Sequence, residues 1–78
     1  PNPFNPATTI RFSIARKGYV SLNIYDVTGR MVAKVLNKEM DEGDHSVSFQ
    51  ANGLASGVYF YRLETNDEIQ TRKMILLR

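Results

Sequence analysis

LASGVYFYRLE, residues 54–64, decides the fold class. From Val58 to Glu64 it is dense in β-branched and aromatic residues, the composition that fits a pleated, half-buried surface. The chain enters it through Ala51-Asn52-Gly53-Leu54-Ala55-Ser56-Gly57, an irregular connection whose one large apolar residue, Leu54, is expected to plug the core. Leu54-x-x-Gly57-x-Tyr59 is the layout of a tyrosine corner. In that motif a tyrosine near the start of a late strand returns its hydroxyl to the preceding loop of an immunoglobulin-like sandwich. A buried Tyr59, bonded to backbone within Leu54 to Gly57, is therefore expected.

Outward from this stretch the period stays at two. Ile10, Phe12 and Ile14 alternate with Thr9, Arg11 and Ser13; Val20, Leu22 and Ile24 alternate with Ser21, Asn23 and Tyr25. Each run reads as a strand with one buried face. Ala15 to Gly18 and Asp26-Val27-Thr28-Gly29 are turn chemistry, with Asp26 able to bond its own backbone and Gly29 suited to left-handed φ. Residues 30–40 form a further strand. Val32, Val35, Leu36 and Met40 share one face with a bulge near Lys34-Val35; a short helix is the alternative, and the β-branched content and the preceding hairpin turn favour the strand. Asp41 to Asp44 reads as a solvated hairpin turn, followed by His45, Val47 and Phe49 in alternation. Asn66-Asp67 turns the chain into a last strand, Ile69 to Leu77. The sum is an all-β chain, an immunoglobulin-like antiparallel β-sandwich of six to seven short strands. With no cysteine and no tryptophan, the aromatic core falls to Phe12, Phe49, Tyr59 and Tyr61.

All three prolines lie in the first six residues, PNPFNP. Proline fixes φ, lacks a donor and biases the residue before it toward extended backbone. Residues 1–7 thus read as a stiff lead-in from an upstream passenger, with a strand from Thr8 and a single domain over residues 1–78. Zero cysteines exclude a disulfide framework and a thiolate metal site. A net charge of +2 with scattered basic residues argues against nucleic acid. No apolar run approaches the roughly 20 residues that span a bilayer, so no direct membrane insertion is expected. If the parent protein is exported, its signal peptide is expected upstream.

Catalytic chemistry finds little to stand on. Asp41, Glu42, Asp44 and His45 match no calcium-loop spacing and lack a second histidine; they read as a polar turn with His45 packed at the strand start. Asp44, His45 and Ser46 are neighbours on one strand and point to opposite faces, so they form no relay. The chain is too short to wrap a ligand pocket of the usual size. Neither an enzyme nor a cofactor is expected. Tyr19, Tyr25 and Phe60 are candidates for an outer face, but scattered exposed aromatics are ordinary. The end of the chain is less so. Lys73, then Met74-Ile75-Leu76-Leu77, then Arg78 sets four apolar residues in a row. Either the strand is covered on both faces, or one face awaits a partner.

PNPFNPATTIRFSI, Asp26 to Val32, Leu54 to Tyr59 and Lys73 to Leu77, in that order, resemble the C-terminal sorting domain of the type IX (Por) secretion system. The resemblance covers essentially the whole chain. It implies motif positions at Pro1, Asn2, Pro3, Asp26, Gly29, Val32, Gly57, Tyr59 and Lys73. It also implies recognition by type IX translocon and shuttle components, and removal by a surface sortase-like peptidase. On this reading an upstream passenger passes through the periplasm to the cell surface or the extracellular space. The flagellar hook-capping protein's immunoglobulin-like domain shares the PNPFNP opening, and a carbohydrate-binding module of a secreted hydrolase is a third reading.

Overall fold

The computed structural model describes residues 7–77; the lead-in prolines and Arg78 lie outside them. Among the described residues six strands follow one another: β1 (Ala7–Ile14), β2 (Gly18–Tyr25), β3 (Met31–Met40), β4 (Gly43–Gln50), β5 (Gly57–Glu64) and β6 (Ile69–Leu76). Strand β1 thus opens one residue ahead of Thr8, and β6 closes one residue short of Leu77.

Two antiparallel sheets form. One holds β1 and β4; the other has the order β3-β2-β5-β6. In immunoglobulin lettering these are B–E facing C′–C–F–G, with Tyr59 near the start of the strand in the F position. The turn at Asp41-Glu42 is not a hairpin, because β3 and β4 belong to different sheets. It is a corner that carries the chain from one layer to the other. Alternation in sequence tells which face of a strand is buried, not which strand lies beside it.

Central strand β2 supplies the middle of the core: Val20, Leu22 and Ile24 are fully buried. Ile10, Ile14, Phe49, Tyr59, Leu63 and Leu76 close around them. Phe12 and Tyr61 are only half-buried against this cluster, and so is Leu54. Leu54 thus packs on the core from the crossover as expected, though only in part, and Ala51 at the start of the crossover is completely buried. The anticipated bulge is present: pairing steps from Leu22–Leu36 to Asn23–Lys34, leaving Val35 over. A second step, from Ile24–Ala33 to Tyr25–Met31, leaves Val32 over. Together they turn Val32, Val35, Leu36 and Met40 onto the core.

Candidate functional site

Most of the motif positions within the described residues gather at one end of the four-stranded sheet. Tyr25, the last residue of β2, pairs with Phe60, and Phe60 with Lys73. Tyr59 pairs with Met74, Val58 with Ile75 and Gly57 with Leu76. The β2–β3 turn, the start of β5 and the end of β6 are therefore neighbours. Pro1, Asn2, Pro3 and Arg78 lie outside the described residues.

Asp26 builds the turn. Its backbone N–H donates to the Arg30 carbonyl at 2.9 Å and its carbonyl accepts from Gly29 at 3.0 Å. Its Oδ1 accepts from the Thr28 amide at 2.9 Å, the Thr28 hydroxyl at 2.6 Å and the Arg30 amide at 3.1 Å. The carboxyl is held below its ordinary value, chiefly by the Thr28 hydroxyl; slight burial opposes, and the Arg30 and Thr28 amides and the Arg30 charge add to the lowering. Gly29 takes φ +87°, a conformation that costs a side-chain-bearing residue about 1–2 kcal/mol. Val32 is the second bulge residue and packs on the core. These positions shape a tight, ionised turn.

Tyr59 completes the corner. Its ring is buried and its hydroxyl donates to the Ala55 carbonyl at 2.7 Å. Tyr59→Phe is expected to cost about 1 kcal/mol, since the carbonyl loses its partner while the ring still packs. A urea midpoint that does not move would remove the corner from the stability account.

On β6 the four apolar residues alternate after all. Leu76 is buried and Met74 half-buried against the core, whereas Ile75 is 62% and Leu77 77% exposed. The strand is therefore not covered on both faces among the described residues. It is an edge strand of the larger sheet. Val58 pairs with Ile75 and Phe60 with Lys73, and Tyr25 and Met31 follow across the sheet on the same outer face. The other sheet offers a contrast: its outward row is Thr9, Arg11 and Ser13 on β1 and Asp44, Ser46 and Ser48 on β4. Thus the exposed large apolar residues Tyr19, Val27, Met31, Val58, Ile69, Ile75 and Leu77 belong to the four-stranded sheet, its hairpin or its immediate end.

The polar group around His45 is structural. The ring nitrogen Nε2 lies 2.6 Å from the Asp41 carbonyl, and the ring stacks on Phe12. Asp44 Oδ1 accepts from the Ser13 hydroxyl at 2.5 Å. Among the described residues no group of three His, Asp or Glu side chains is placed to hold a metal.

Residues 1–77 match the family described as the secretion system C-terminal sorting domain. The chain belongs to this family. No curated protein and no solved structure matches it. Members act as C-terminal sorting signals for type IX secretion, with that machinery, and the family is not one of enzymes. The sorting domain thereby marks a passenger for the cell surface or the extracellular space. Nothing in the match supports the hook-cap or carbohydrate readings. What sequence reading missed in the sorting domain is the continuity of its outer patch. The signal was present, since Val58 and Phe60 alternate with the core-facing Tyr59 and Tyr61, but which strands lie beside β5 is a matter of topology.

Proposed function

We propose that this domain carries its passenger through the periplasm to the type IX translocon and shuttle components, and that a surface sortase-like peptidase then removes it. The stiff lead-in from the passenger ends before Ala7, which already pairs with Gln50 in β1, and the domain is a single one over residues 1–78. The recognition element is the last strand, Lys73, Met74, Ile75, Leu76, Leu77 and Arg78. The observation that carries this reading is an apolar row, Ile75 and Leu77, on the outer face of a sheet-edge strand. An exposed edge with apolar side chains costs solubility unless a partner uses it. A receptor can pair with its free backbone groups and read alternate side chains in pockets. Lys73, exposed on the same face, adds a charge to that row.

The test fuses the domain to a fluorescent passenger in a bacterium that has type IX machinery. Ile75→Ser with Leu77→Ser leaves Met74 and Leu76 in the core, so the melting temperature should hold. Export is expected to fall at least tenfold, with passenger retained in the periplasm. A folded double variant exported as well as the parent would reduce the strand to a purely structural element.

A further inference from the structure

A two-stranded sheet laid over a four-stranded one leaves some of the floor bare. With strands about 4.8 Å apart, β1 and β4 span about 5 Å and the larger sheet about 14 Å, so among the described residues roughly 10 Å of inner face has no strand above it. On the β3 side the chain closes the gap itself, because the bulges turn Val32, Val35, Leu36 and Met40 onto the core. On the β1 side an open groove of about 440 Å³ runs between β1 and the inner face of β5 and β6. Arg11, Phe12, Tyr61, Gln70 and Arg72 line it, and Glu68 stands at its loop end.

Two features mark this groove as a binding site. The first is charge. Arg72 pairs in register with Tyr61, so it sits on the inner side of β6, yet it is exposed, with no strand above it among the described residues. Neither Arg72 nor Arg11 has a carboxylate partner among the described residues, whose ion pairs involve Arg16, Lys17, Arg30 and Arg62. The one acid in the groove, Glu68, already accepts from the Gln70 amide at 2.9 Å. The second is backbone. β1 pairs with β4 along one edge and, among the described residues, with no strand along the other. A strand added there at ordinary spacing would lie over Gln70 and Arg72. It would also cover Phe12 and Tyr61, which face inward yet remain half-buried.

We propose that this groove takes an extended acidic segment of a partner protein as a third strand on β1. Main-chain bonds to the β1 edge supply the pairing; inward side chains cover Phe12 and Tyr61 and bring a carboxylate to Arg72, while an outward one brings a carboxylate to Arg11 beside the edge. The site is separate from the β6 edge, which belongs to the other sheet.

The probe is a blocked peptide repeating Glu-Glu-Val-Val, which presents both side chains on each face of a strand, with repeating Lys-Lys-Val-Val as control, titrated into the isotopically labelled domain. Binding of the acidic peptide is expected to slow hydrogen exchange along β1 but not along β3, and to weaken with salt. Arg11→Gln with Arg72→Gln should weaken it at least tenfold; both side chains are exposed, so the melting temperature checks that the fold is kept. Several results would overturn the proposal: no binding, equal binding of the lysine peptide, an unchanged Kd in the double variant, or protection along β6 in place of β1. So would β1 amides that are already slow in the free domain, or self-association of the domain through this face. Exchange mapping on the unsubstituted protein keeps the test decisive even if the variant unfolds.

Discussion

Leu22→Ala is expected to leave the domain largely unfolded at moderate temperature. Leu22 is fully buried on β2, between Leu36 of β3 and Leu63 of β5. Truncating such a side chain removes its transfer free energy and leaves a cavity that collapses only incompletely, at a cost of about 2–5 kcal/mol. A chain of 78 residues has a total stability of roughly 4–12 kcal/mol at the usual value per residue. The loss is thus at least about a sixth of everything available, and about two fifths at the middle of both ranges. Urea denaturation followed by circular dichroism should show the midpoint collapse, with a near-normal midpoint for Ile75→Ser as contrast. If Leu22→Ala melted like the parent, β2 could not be the centre of the sandwich.

Gly57→Ala is expected to cost about 1–3 kcal/mol, the usual range for a residue held in a sparsely populated backbone region. Gly57 has φ +153° and opens β5 opposite Leu76. A Cβ built there meets nothing within 4 Å, so the penalty comes from the backbone and not from crowding. That separation gives a clean control. The chain is short enough for chemical synthesis, and D-alanine at position 57 has the mirror preference. It should match or exceed the glycine protein in stability, since it narrows the unfolded ensemble without native strain. Equal losses for both alanine isomers would point to a steric cause instead.

How far the sequence carries can be seen strand by strand. Ile10, Phe12 and Ile14, then Val20, Leu22 and Ile24, announced their buried faces because one-sided burial writes period two into the residues themselves. The Tyr59 hydroxyl was legible because a corner is local: donor and acceptor are four residues apart. The irregular Val32–Val35 spacing revealed a bulge, since no straight strand could bury that set. Pairing between distant strands leaves no such mark. Asp41-Glu42 looks like a hairpin in sequence, but its flanking strands find partners elsewhere, β3 with β2 and β4 with β1. The groove beside β1 was hidden for the same reason, as Arg11 and Arg72 meet only through the stacking of two sheets. On β6, Met74 to Leu77 looked unpatterned because both faces are apolar; the two faces differ in what covers them, which composition cannot express.

The crossover from β4 to β5 also settles how the domain responds to tension. Ala7 pairs with Gln50 at the end of β4, six residues run from Ala51 to Ser56, and Gly57 then pairs with Leu76. So short a bridge between layers puts the start of β1 and the end of β6 at one end of the sandwich. A load drawn between those two points meets each strand at its tip, across the ladder and not along it. The hydrogen bonds then open in succession, as in a zipper, while a pull along the strands would have to shear a whole row at once.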